Sequence, residues 1–274
     1  MNLLVKTPCM FCLSVLFAIS LLLASPCWAG VDFDGVDDEL TIASISANSG
    51  TATSASVWIN LTSTPASGSR LSIIESSNDS AQHNFTFEYQ NSGGTLRFLT
   101  SSKNSSNADW SDWASNVTLS TGTWYNVALT MNNTTNPDTV NFHVNGTQYA
   151  ASNVYGTNNS DRHTGTKVFN VGEAVDNGRN SIVGKISEVA WWDGVVLGQG
   201  EINLLYAARV KRMPLQIQPS SLRGYWPLDD EEDASSGDAD SFKDLSSNNN
   251  TLTGDDGANN LGLTAKAEEV LSYP

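Results

Sequence analysis

Apolar and polar residues alternate with a period of two in one short run after another, and nothing else in this 274-residue chain narrows its fold as far. Ala55, Val57, Ile59 and Leu61 alternate with Ser54, Ser56, Trp58 and Asn60, and Phe85, Phe87 and Tyr89 with Thr86 and Glu88. The series continues at Leu96 and Phe98, at Tyr125, Val127, Leu129 and Met131, and at Val140, Phe142 and Val144. Successive strand side chains point to opposite faces, so each run predicts a half-buried strand. Gly, Asn, Ser or Pro bounds each run; Asn91-Ser92-Gly93-Gly94 predicts a hairpin loop and Asn145-Gly146 a two-residue hairpin turn. The expected class is all-β, mostly antiparallel. One segment departs from this rhythm: residues 201–211 hold good helix formers with Glu201 at the start, Arg209 and Lys211 at the end and Pro214 beyond, which predicts a short helix.

Residues 1–29 are expected to be a secretory signal peptide. Lys6 precedes an apolar run from Met10 to Ala24, and Ser25-Pro26-Cys27-Trp28-Ala29 offers small residues around a cleavage point after Ala29. The run is shorter than the roughly 20 residues a membrane-spanning helix needs, so no membrane insertion is expected after cleavage. Cys9, Cys12 and Cys27 all leave with this leader, so disulfides cannot hold the exported protein together and an ordinary hydrophobic core must. Losing Lys6 as well moves the formal net charge from −15 to −16. So acidic a chain repels nucleic acid and anionic membranes and favours cations or neutral ligands. The localisation expected is secreted, periplasmic or at the cell surface.

Five stretches carry a more specific likeness: Phe33-Asp34-Gly35-Val36-Asp37-Asp38, Ala55-Ser56-Val57-Trp58-Ile59, residues 122–130 (GTWYNVALT), Phe142-His143-Val144-Asn145-Gly146, and residues 184–193 (GKISEVAWWD) leading to Gly200-Glu201-Ile202. Together and in this order they resemble the laminin-G-like domains of the concanavalin A-like lectin/glucanase superfamily. The resemblance runs from about Val31 to Tyr206 and implies a two-sheet antiparallel jelly-roll sandwich. It implies no particular ligand, because function on such folds is set by loops and sites. A further piece, residues 222–229 (LRGYWPLD) with 244–251 (DLSSNNNT), resembles what usually precedes the first of these stretches, yet here it comes last. Residues 30–274 are therefore expected to be one domain in which 222–274 packs back to complete the sandwich, as in a circular permutant; the other reading is a truncated second repeat.

Enzyme signatures are missing from the sequence. Glycan hydrolysis needs two carboxylates converging from one strand, usually with Glu-x-Asp-x-x-Glu spacing, and neither Glu231-Glu232-Asp233 nor Glu173 and Asp176 supplies it. There is no Gly-x-Ser-x-Gly elbow and no His-Glu-x-x-His site, and His83, His143 and His163 are far apart, with His143 expected to face solvent. Calcium, which the resemblance implies on the sandwich rim, finds candidate ligands in Asp34, Asp37 and Asp38; the same residues also read as a turn in which Gly35 supplies the backbone angles. For carbohydrate, Trp110 and Trp113 with Asp109 and Asp112 are the candidates, since an indole ring can lie on a pyranose while its polar neighbours hold the hydroxyls. The expected function, which the resemblance implies, is non-catalytic recognition or adhesion by carbohydrate or cell-surface binding, with a glycan or an extracellular surface protein as partner and calcium as the one cofactor implied. The alternatives are a self-associating matrix protein and a divergent glycan hydrolase.

Overall fold

A computed structural model describes residues 30–36, 38–47, 49–78, 82–104, 110–135, 138–156, 162–174, 180–207, 212–228 and 241–255. The expected leader, residues 1–29, and the acidic run Asp229–Asp233 lie outside them. The described chain forms two antiparallel sheets packed face to face, a jelly-roll sandwich with one α-helix.

The seven-stranded sheet contains β1 (Val31–Asp34), β3 (Ala52–Leu61), β8 (Trp124–Asn132), β9 (Thr139–Val144), β10 (Thr147–Ala150), β13 (Val183–Asp193) and β14 (Leu222–Trp226). The nine-stranded sheet contains β2 (Glu39–Ala47), β4 (Arg70–Ser77), β5 (Phe85–Ser92), β6 (Thr95–Lys103), β7 (Trp110–Asn116), β11 (Ser152–Gly156), β12 (Gly165–Val171), β15 (Ser241–Phe242) and β16 (Leu252–Asp255). Its spatial order is β11-β7-β6-β5-β4-β12-β2-β16-β15.

Both hairpins fall where the turn residues place them. The β5–β6 loop turns at Gly93-Gly94, and the β9–β10 turn holds Asn145 at φ 49° and Gly146 at φ 80°, the left-handed pair a two-residue hairpin needs. The helix α1 spans Gln199–Ala207; residues 208–211 of the expected helix lie outside the described residues.

The core is built by the inward half of each alternation. Ala55, Val57, Ile59 and Leu61 of β3 face Phe85, Phe87, Tyr89 and Phe98 of the other sheet within one buried cluster. Aromatic rings bridge the layers: Phe98 lies 5.6 Å from Phe142, and Phe169 lies 5.4 Å from Trp191 and 5.1 Å from Trp226. The C-terminal segment contributes to both sheets. β14 pairs with Val189–Trp192 of β13 along the edge whose other half β1 occupies, and β16 pairs with β2. Tyr225 and Trp226 are fully buried. Asp244 ties this segment down by accepting N–H groups of Tyr225, Ser246 and Asn250 at 2.8–2.9 Å.

Candidate binding face

The outward face of the nine-stranded sheet gathers charged side chains that are distant in sequence. On β6, Arg97, Leu99, Ser101 and Lys103 lie opposite Asn116, Ala114, Asp112 and Trp110 of β7. On the other side, Arg97 and Leu99 lie opposite Gln90 and Glu88 of β5, which in turn oppose Arg70 and Ser72 of β4. A bulge in β4 turns both Ile73 and Ile74 into the core and returns Glu75 to the outward face opposite Thr86.

These groups interlock across four strands. Arg70 extends over the sheet, its Nη1 lying 3.5 Å from Glu88 Oε2 and its Nη2 3.6 Å from Asp112 Oδ2. Asp112 Oδ1 accepts a hydrogen bond from Ser101 Oγ at 2.7 Å and another from the Trp110 indole N–H. Lys103 Nζ stands 4.9 Å from the centre of the Trp110 ring, and the His83 ring meets that indole edge-on at 5.2 Å. His83 Nδ1 lies 3.0 Å from Glu75 Oε1. Arg97 Nε donates to Gln90 Oε1 at 2.7 Å. Burial disfavours the Arg97 cation most, Arg70 adds to that, and Asp112 acts the other way, so its pKa is lowered.

The layering is as informative as the contacts. Glu75 and Glu88 are 0 % exposed and Asp112 is 5 % exposed, whereas the Arg70 side chain is 28 % exposed and Arg97 and Lys103 are half-buried. The carboxylates form a buried floor and the cations stand above it. Of the seven described tryptophans six are buried, and Trp110 alone reaches solvent.

Trp110 and Asp112 thus share one face and a hydrogen bond. Trp113 does not join them: it is 5 % exposed and belongs to the core cluster, so it offers no ring to a ligand. The reason is strand parity, since residues three apart on a strand point to opposite faces. Asp109 lies outside the described residues. The sequence reading missed Arg70, Glu75, His83, Glu88 and Arg97, because register between distant strands brings them together.

Of the candidate calcium ligands, Asp34 Oδ1 accepts the Val36 N–H at 2.7 Å and Asp38 Oδ2 accepts the Asp34 N–H at 2.6 Å, with Gly35 at φ 83° between them. These two carboxylates stabilise their own turn, and Asp37 lies outside the described residues. Among the described residues no three His, Cys, Asp or Glu side chains converge as metal ligands.

The outer face of the seven-stranded sheet is different in kind. Trp58, Trp124 and Trp192 are buried there, Trp58 stacking on Tyr206 of α1 and Trp192 packing with Leu197, Ile202 and Leu205. The recess lined by Ser56, Trp58, Asn126, Glu188, Leu205, Met213 and Pro214 has a volume of about 10 Å³, room for about one water. His143, expected to face solvent, lies on this face but is only 3 % exposed, and burial pushes its pKa down to about 4. Alternation fixes a strand residue's face; it does not say what covers that face.

The family model described as the concanavalin A-like lectin/glucanases superfamily, of laminin G type, matches residues 34–203. Among solved structures, a candidate carbohydrate-binding protein from Bacteroides ovatus superimposes with a TM-score of 0.54 at 15 % identity, covering 81 % of this chain and 58 % of its own. A heptameric SAP-like pentraxin from Limulus polyphemus does so with a TM-score of 0.51 at 15 % identity, covering 68 % of this chain and 85 % of its own. At that identity the likeness is one of fold. No curated protein matches the sequence. Among the described residues no helix is long and apolar enough to cross a membrane.

Proposed function

Because this chain belongs to the concanavalin A-like lectin/glucanase superfamily, with its laminin-G-type match over residues 34–203, we propose that it is an exported, non-catalytic recognition module that holds a glycan against the outer face of its nine-stranded sheet. One observation carries the reading: the solvent-reaching ring of Trp110 is fixed through its N–H to Asp112 and set among hydrogen-bonding side chains. A pyranose presents an apolar face ringed by hydroxyls, and an immobilised indole in a polar bed complements both. Fixing the ring beforehand lowers the entropy cost of binding.

Binding without turnover fits the state of the carboxylates. Hydrolysis of a glycosidic bond requires an acid and a base or nucleophile that both reach it. Here Glu88 and Asp112 lie against Arg70, Asp112 also accepts from Ser101 and Trp110, and Glu75 lies against His83. Calcium is not required by this reading, since Trp110 and Asp112 lie on the sheet face and Asp34 and Asp38 hold a turn. Export rests on the leader at residues 1–29.

The test is a panel of neutral β-glucan, arabinan, galactan, polygalacturonate and sulfated galactan, applied to the processed protein with and without a calcium chelator. At least one member is expected to bind in both conditions, and Trp110→Ala to weaken it by about tenfold or more, the scale of losing an aromatic anchor. Failure to bind every member, or undiminished binding by Trp110→Ala, contradicts the proposal. An oligomer without glycan affinity would instead favour a self-associating matrix protein.

A further inference from the structure

The charge layering on this face narrows the ligand class beyond a glycan in general. The chain carries a formal net charge of −15, yet the patch across β4 to β7 balances Arg70, Arg97 and Lys103 against Glu75, Glu88 and Asp112. The balance is not symmetric in depth. The three carboxylates are buried and engaged from above or from the side, so an approaching molecule meets the cations first. A neutral sugar needs no such outer layer, and in so acidic a chain mutual repulsion alone would not collect three cations here.

Arg97 is the sharpest feature. Its Nε donates to Gln90 Oε1 at 2.7 Å, which anchors one edge of the guanidinium plane. It has no described carboxylate at ion-pair distance; Arg70 is its nearby cation, and Asp112 opposes that repulsion only in part. A half-buried guanidinium beside a second cation is stabilised by an anion that reaches both terminal nitrogens, and a planar carboxylate or a sulfate does so in bidentate fashion. Arg97 and Lys103 are six residue steps apart along β6, about 20 Å at the rise of a strand. That span suits an oligosaccharide, with one ring on Trp110 and an acidic group at Arg97.

We infer that the glycan bound on this face is acidic, carrying carboxylate or sulfate groups, and that Arg97 is the residue that reads the acid. The inference rests on the carbohydrate-binding reading, and its failure is separable from the failure of that reading.

The experiment titrates the processed protein with oligogalacturonate, with the same oligomer after its carboxyls have been reduced to alcohols, with a sulfated galactan oligomer and with a neutral galactan oligomer. Each titration is made at low and high sodium chloride. Wild type is compared with Arg97→Gln and Arg97→Lys, and thermal melts check that the variants fold. The expected result is binding of at least one acidic oligomer at low salt and weakening at high salt. The carboxyl-reduced and neutral oligomers bind at least about tenfold more weakly, and Arg97→Gln loses about tenfold or more toward the acidic one, the scale of a charged hydrogen bond. Arg97→Lys restores part of that loss, because it keeps the charge without the fork. Preference for the oligogalacturonate or for the sulfated galactan assigns the acid as carboxylate or sulfate. Equal binding of acidic and uncharged oligomers, or acid-dependent binding untouched by Arg97→Gln, overturns the inference and leaves the carbohydrate reading in place. Binding of none of the four by a folded wild type overturns the inference, and the neutral β-glucan and arabinan of the earlier panel then decide the carbohydrate reading.

Discussion

The two outer faces of this sandwich are built from the same strand alternation and end in opposite states. On the seven-stranded sheet the outward residues include Trp58, Trp124, Trp192 and Ala190, and helix α1 with the 3-10 turn at Met213–Gln216 lies in contact with that side. On the nine-stranded sheet the outward residues of β4 to β7 include Arg70, Arg97, Lys103, Glu75, Glu88, Asp112 and Ser101, and a single tryptophan reaches solvent among them. An outward tryptophan therefore has two meanings: under a helix it is a second core, and over buried carboxylates it is the place where we propose a glycan binds. The crossing segment after β13 makes the difference, since it supplies Leu197, Ile202 and Leu205 to cover one face.

Substitutions on each face are expected to separate stability from binding. The largest effect is expected from Trp192→Ala. Its ring is fully buried and its indole N–H donates to the Ile217 carbonyl at 2.7 Å, so unfolding in denaturant should reveal a loss of about 3–5 kcal/mol. Glycan affinity of the folded fraction should stay unchanged. Trp110→Ala should do the reverse, lowering affinity by about tenfold or more while costing under about 1 kcal/mol of stability; a stability loss matching that of Trp192→Ala would erase the distinction between the faces.

Asp112→Asn keeps the shape but removes the negative charge facing Arg70 and Trp110. A loss of about 1 kcal/mol in binding free energy, seen by calorimetry, is expected, together with a small drop in melting temperature. The smallest effect concerns pH. Burial lowers His143 from 6.5 to about 4, so the unfolded chain takes the proton first. The stability linked to neutral His143 is complete above pH 6.5 and is lost as pH falls through about 4. His143→Gln should flatten the fall in melting temperature over that window relative to wild type, and equal slopes would mean that the covered face does not exclude water there.

What was legible in the sequence was local. Alternation marked the strands at Ala55–Leu61, Phe85–Tyr89, Tyr125–Met131 and Val140–Val144, and two hairpins followed from Gly93-Gly94 and Asn145-Gly146, because side-chain period and turn chemistry are properties of neighbouring residues. Trp110 and Asp112 were legible as a pair for the same reason. Trp113 was legible too, in hindsight, since the parity that pairs Trp110 with Asp112 sends Trp113 inward. Arg70, Glu88 and Arg97 were not legible as a site, because Arg70 meets Asp112 across three strand spacings fixed by register over distant segments. The cover over His143 was equally hidden, as it depends on tertiary packing and not on its own strand.

The most direct test of the central claim is the set of tryptophan indole N–H resonances of the isotope-labelled processed protein. They are to be recorded as the best-binding oligosaccharide of the panel is added. The expected result is a shift of the Trp110 indole signal, with those of Trp58, Trp124, Trp191, Trp192 and Trp226 unmoved. A shift at Trp58 or Trp124 with Trp110 unmoved would place the ligand on the opposite sheet and contradict the account.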